Sequence, residues 1–244
     1  MRINRKTAVR NQVRPLGCWA WSGIVFEVDH LFVCTDVGAP EAERLRAFGL
    51  TEGEPNVHPG QGTANRRFFF RNVFLELLWV SDPAEAQGEI VRPTQLWSRW
   101  SQRRSEASPF GVLFRPAQPG AEVVPFPCWE YKPRYLPSPL VIHVGADVPL
   151  SEPWWGYLAF GRRPDAPGQP RRQPMEHGIG FQQVTHLRFT SPRADSPSGA
   201  ARVASGAAVA LAPGPEHLLE ITFDGGVRGG DADFRPALPL VFRW

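Results

Sequence analysis

Cysteine, methionine and tyrosine are scarce in this 244-residue chain, at three, two and three residues. Cys18, Cys34 and Cys128 cannot all pair, and none belongs to a C-x-x-C. A disulfide framework and a zinc ribbon are therefore excluded, and the pattern is that of a reducing compartment, so a cytoplasmic location is expected. No run approaches the ~20 apolar residues that span a bilayer. The basic start (Arg2, Arg5, Lys6, Arg10, Arg14) is followed only by a short apolar stretch, Leu16 to Val25, broken by Gly17, Ser22 and Gly23. That is not the shape of a secretory signal, and residues 1–22 are expected to be a flexible leader. Net charge is only +3, and the basic pairs Arg103-Arg104, Arg162-Arg163 and Arg171-Arg172 sit beside Pro, Ser or Gly rather than among stacking aromatics. Neither a nucleic-acid face nor a membrane surface is expected. A G-x-S-x-G elbow is also missing, and Cys34 and Cys128 lack the His-rich surroundings of a nucleophile.

What is abundant is turn chemistry. With 26 prolines and 23 glycines, about a fifth of the chain, and no G-x-y period, many turns and short strands are expected, with few long helices. The apolar fraction of 42% is that of a globular protein able to bury a core.

Along the chain, IVFEVDHLFVC (24–34) is a strand, and Pro40 opens a short helix, EAERLRAF, that Gly49 stops. The segment 51–67 is turn-rich, with room for one weak strand. FFF (68–70) and VFLELLWV (73–80) form a hairpin across Arg71-Asn72. The order over 23–82 is thus β-α-β-β-β. A connecting helix follows within 83–107, with Thr94 as its cap and Leu96, Trp97 and Trp100 along one side. Residues 108–244 are expected to form a second β-rich module. Its strands are at 109–115, 127–132, 140–145, 181–190, 209–212 and 217–223, and its proline-rich loop is at 161–174. The closing DFRPALPLVFRW is expected at a sheet edge because of its prolines.

A strand-borne His is followed by a strand-borne Glu twice, in VDHL (28–31) with FLEL (74–77), and in VTHL (184–187) with LLEI (218–221). Alternation puts Val73, Leu75, Leu77 and Trp79 on the core side and Glu76 on the other face. It likewise puts Leu219, Ile221 and Phe223 inside and Glu220 opposite, and it groups His30 with Val28 and Phe32. A carboxylate among Phe and Leu needs a cation, a metal or an Arg to answer it. The stretch HPGQGT lacks the Lys-Ser/Thr ending of a phosphate loop and reads as a turn lining a cleft.

These residues carry a resemblance. VDHL, the Leu-Glu of FLEL and HPGQGTANRR (58–67) are similar to the strings of glyoxalase-like domains in the vicinal-oxygen-chelate superfamily, over about residues 25–82. The resemblance implies an α+β fold of paired βαβββ modules, with curled mixed sheets around a cleft. It also implies a divalent metal (Zn, Ni, Fe or Mn) held by His30, Glu76, His186 and Glu220. Glu76 or Glu220 would then act as the catalytic base, with His58, Asn65 and Arg67 on the substrate. It further implies a small-molecule substrate and a homodimer. Two registers stay open for the second module. If it starts at PFGVLFR, its first strand has no histidine; if at FQQVTHLRFT, His186 and Glu220 complete the ligand set. Three roles stay open too: a metal-dependent lyase, isomerase or ring-cleaving dioxygenase; a metal-free sequestering protein; or a partner-binding module with Trp97, Trp100, Trp154 and Trp155 between subunits. Bland readings exist for each residue: His30 tied to Asp29, Glu76 paired with Arg66, Arg67 or Arg188, His186 on a solvent side with Arg188 and Thr190, Glu220 paired with Arg188, and His143 in the core.

Overall fold

A computed structural model describes residues 26–118, 123–168 and 172–244. The leader expected over 1–22, with Cys18, and Arg171 of the expected loop lie outside them.

The first unit runs β1 (Phe26–Cys34), α1 (Ala42–Phe48), β2 (Asn56–His58), β3 (Thr63–Phe69) and β4 (Phe74–Val80). Helix α1 buries Ala42 and Leu45 and ends on Gly49 in the left-handed region. Strand β3 begins inside the stretch read as turn, because Thr63 to Arg67 pair with Glu76 to Val80 as the hairpin continues. Strand β4 then lies parallel to β1, with Leu31 level with Leu75 and Phe32 with Glu76. The connecting segment holds two short helices, α2 (Pro83–Ala86) and α3 (Leu96–Ser101). The Asp82 carboxylate caps α2 by accepting from the N–H groups of Ala84 and Glu85.

Strands β5 (Phe110–Pro116), β6 (Cys128–Tyr131), β7 (Ile142–Gly145) and β8 (Trp154–Tyr157) complete one sheet in the order β2-β3-β4-β1-β5-β8-β7-β6. Strand β5 is antiparallel to β1, and β8 is parallel to β5, so one half of the sheet repeats the other about the β1–β5 seam. The second module of this sheet therefore starts at Phe110, and its first strand carries no histidine. These are mixed sheets with few helices, an α+β fold.

The rest of the chain builds a second sheet from β9 (Val184–Ser191), α4 (Gly199–Ala204), β10 (Val209–Pro213), β11 (Leu218–Phe223), β12 (Asp231–Asp233) and β13 (Leu240–Arg243). Its order is β10-β9-β11-β13-β12. The pairing, parallel then antiparallel, parallel and antiparallel again, is that of β4-β1-β5-β8-β7 in the first sheet. Strand β9 occupies the place of β1, and both bulge at the residue before the histidine, Asp29 in VDHL and Thr185 in VTHL. The span 108–244 is thus divided between two sheets rather than forming one module. The tail reading is also corrected. Strand β13 lies between β11 and β12, since Pro236 and Pro239 precede the strand and remove no ladder donor from it.

The sheets pack back to back. Leu31, Val33, Leu75, Leu77, Val112, Phe114 and Trp155 of the first meet Leu187, Phe189, Leu219, Ile221, Phe223 and Phe242 of the second. Val28 joins this core instead of sharing a face with His30, because the bulge at Asp29 resets the alternation. Trp154 and Trp155 are buried inside the chain and do not lie between subunits.

Candidate functional site

The other face of the first sheet lines a cleft of about 180 Å³. One end is polar and holds His30, Asn56, His58, Gln61, Arg67 and Glu76. The remainder is apolar, with Phe32, Phe74, Leu113, Tyr131, Tyr135, Trp154 and Phe160 among its walls. At this volume it suits a ligand smaller than a drug-sized one, for which roughly 300 Å³ or more is usual.

His30 is the best-supported side chain in the cleft. Its Nδ1–H donates to Asp29 Oδ1 at 2.6 Å, and its ring stacks on Phe74 with centroids 4.4 Å apart. The bulge makes this possible, since neighbouring residues on a regular strand point to opposite faces. Arg115 Nη1 in turn donates to Asp29 Oδ2 at 3.1 Å, and its other nitrogens reach Glu27 and the Asn72 carbonyl. Arg115 and Asp29 are 1% and 3% exposed, so each charge is answered almost wholly by the other groups of this chain. A side chain at Gly161 would strike the relay, since a Cβ there would lie 2.7 Å from Asp29 Oδ2 and 2.8 Å from Arg115 Cβ. His30 Nε2 has no protein partner among the described residues.

Glu76 projects from β4 beside His30 and is 6% exposed. Arg67, its cross-strand partner, points its guanidinium at the carbonyls of Glu54 and Pro55. Arg66 pairs with Glu43 and Glu52, and Arg188 with Glu220. None of the three hydrogen-bonds Glu76, and among the described residues no side chain does.

The HPGQGT stretch closes β2 onto β3 at this polar end. Gly62, at φ 72°, can only be glycine, because a Cβ would lie 2.3 Å from the Asp82 carbonyl. His58 Nδ1–H donates to Thr63 Oγ1 at 2.9 Å, and its Nε2 accepts from Asn56 Nδ2 at 3.1 Å. Burial pushes the His58 pKa below its ordinary value of 6.5, in keeping with that neutral tautomer. Gln61 Nε2 also donates to Thr63, while Gln61 Oε1 accepts from the Tyr131 and Tyr135 hydroxyls. Asn65 is fully buried on the side of β3 that carries Thr63 and Arg67; its Oδ1 accepts from the Asn56 N–H, and its Nδ2 has no partner among the described residues. Cys34 is buried, its thiol pushed up to about 12 by desolvation, and is no nucleophile.

The buried histidines make stability pH-dependent. His177 resembles His58: it accepts from the Thr51 N–H, donates to the Phe69 carbonyl, and has its pKa lowered by burial. The unfolded chain binds protons at these sites more readily, so stability is full above 6.5 and falls as pH drops from there through the folded values. Urea unfolding should show a lower midpoint at pH 5 than at pH 7.5, and His58→Asn should reduce the difference.

The four-residue ligand set is not assembled. His186 and Glu220 lie on the outer face of the second sheet, where His186 is exposed and Glu220 accepts from Arg188 at 3.0 Å and Arg243 at 2.9 Å. The positions of β5 and β8 facing His30 and Glu76 are Gly111, Leu113, Trp154 and Gly156. Among the described residues there is no group of three or more His, Cys, Asp or Glu placed to hold a metal ion. The residues present therefore do not fit the implied metal, as two donors stand on one side and carbon on the other.

Residues 28–128 match the sequence model of the glyoxalase-like domain family. Residues 28–128 thus resemble a glyoxalase-like domain. This is consistent with the vicinal-oxygen-chelate superfamily. The matched stretch holds the whole polar end of the cleft, from His30 to Glu76, and stops at the first residue of β6. No curated protein matches the chain. Among solved structures, a hypothetical protein from Staphylococcus aureus is similar at 9% identity and a TM-score of 0.46, covering 90% of this chain and 99% of its own. Among the described residues, no helix is long and apolar enough to cross a membrane.

Sequence reasoning located His30, His58, Arg67 and Glu76 at the cleft, and noted the Asp29 neighbour that orients His30. It gave Gln61 no role of its own within the HPGQGT turn read as lining a cleft, and it missed Tyr131, Tyr135 and Arg115. The signal for Arg115 was a lone charge ending an apolar strand, PFGVLFR.

Proposed function

We propose that the glyoxalase-like domain binds a small, mainly apolar molecule in the cleft, without a metal ion to hold it. The apolar half-site carries this reading: Leu113, Trp154 and Gly156 stand where a second His and Glu would be needed. Apolar walls with a few convergent polar groups are the usual make-up of a small-molecule site. Protein purified without a metal-binding tag should take up no stoichiometric Zn, Ni, Fe or Mn by calorimetry, while small aromatic compounds raise its melting temperature. Glu76→Gln, nearly equal in volume, should keep the fold and change only ligand preference. Stoichiometric metal uptake by the wild type, lost in Glu76→Gln, would defeat the proposal.

A catalytic role has one observation in its favour, the Asp29-held His30 with Nε2 toward the cleft, which is the arrangement of a general base. Because one chain supplies both halves of the cleft, the homodimer we propose would form elsewhere on the surface, and sedimentation checks it. The cytoplasmic location we propose rests on the free Cys34 and Cys128.

A further inference from the structure

Most hydrogen-bond donors around the cleft are already engaged by the protein. The hydroxyls of Tyr131 and Tyr135 both donate to Gln61, Gln61 and His58 both donate to Thr63, and Arg67 donates to two backbone carbonyls. Most of the cleft's donors are thus directed onto the protein, and those left over among the described residues are Arg67 Nη1 and, on the same side of β3, the buried Asn65 Nδ2. Two buried acceptors remain without a partner among the described residues: the Glu76 carboxylate, 94% buried by its 6% exposure, and His30 Nε2. With the ring uncharged, the hydrogen bond to Asp29 keeps the proton on Nδ1, so the nitrogen facing the cleft offers a lone pair. Glu76 and His30 project from adjacent strands on the same face, with Glu76 level with Phe32, two residues beyond His30.

A buried carboxylate without a donor is costly, and a bound molecule that brings N–H groups and positive charge removes that cost. The walls favour the same ligand. Phe32, Phe74, Tyr131, Tyr135, Trp154 and Phe160 line the space, and an aromatic ring that turns its face to a cation attracts it. Arg67 offsets part of the Glu76 charge through space but leaves its oxygens open.

We infer that the cleft is selective for a small organic cation: a protonated primary amine whose N–H groups meet Glu76 and His30, on an aryl or alkyl body held by the aromatic walls. The inference rests on the small-molecule reading above and names the ligand class for that site.

Calorimetry with four probes of matched size tests it: 2-phenylethylamine, 2-phenylethanol, ethylbenzene and phenylacetate. The amine should bind roughly tenfold or more tighter than the alcohol, as a charge-assisted hydrogen bond implies, with phenylacetate weakest. Glu76→Gln should erase the amine's advantage while ethylbenzene binds as before, which shows that the cleft is intact. Equal binding of amine and alcohol, preference for phenylacetate, or an amine advantage that survives Glu76→Gln each overturn the inference while leaving the small-molecule reading standing. If none of the four binds, both fall.

Discussion

Replacing Arg115 with methionine lowers the stability of the protein by about 3–5 kcal/mol, the loss expected when one partner of a buried ion pair is removed. The cause is what remains. Asp29, 3% exposed, keeps its charge but loses the guanidinium at 3.1 Å, and the Asn72 carbonyl loses a 2.7 Å donor. Glu27 is less affected, because it is part-exposed and Arg163 stands near it. Asp29→Asn combined with Arg115→Met should cost markedly less than Arg115→Met alone, since no charge is then stranded. Urea unfolding of the single and double variants measures the difference. Equal losses in both would show that Arg115 acts through its packing and not its charge.

Trp155→Ala has an effect of the same order, about 3–5 kcal/mol, as for other large aromatic truncations in a core. Trp155 is fully buried at the seam of the two sheets. It stacks on Phe114 with centroids 6.1 Å apart, and it meets Phe189 of β9 edge-on at 6.3 Å. Its indole N–H donates to Glu152 Oε2 at 3.1 Å, but that carboxylate keeps Ser198 as a donor through both backbone and hydroxyl. The loss is therefore mainly one of volume and apolar contact. Trp155→Phe should retain much of the stability, and near-UV circular dichroism should change more for alanine than for phenylalanine.

The first module was legible where β4 alternates cleanly: Val73, Leu75 and Leu77 on one side marked Glu76 on the other. Alternation failed at Val28, because a bulge has no simple sequence signature, and that bulge is what brings Asp29 to His30. The short strand β8, WWGY, was missed, since four residues between turns give too little period to recognise. The likeness of VTHL to VDHL was real at the level of strand position, as β9 stands where β1 stands. It did not carry a ligand set. Glu220 lies on β11, the counterpart of β5, and Arg188 sits directly across from it.

The strand order also limits how this protein can be cut. The family match ends at Cys128, where β6 begins, yet β6 is the outermost strand of its half and reaches β5 only through β7 and β8. A fragment of residues 28–128 would leave β5 as a long apolar edge with its ladder groups unpaired. It would also strip the second sheet from the back of β1 and β4. Such an edge invites strand addition between molecules, so the fragment should aggregate where the whole chain does not. The smallest folding unit extends well past the recognisable one.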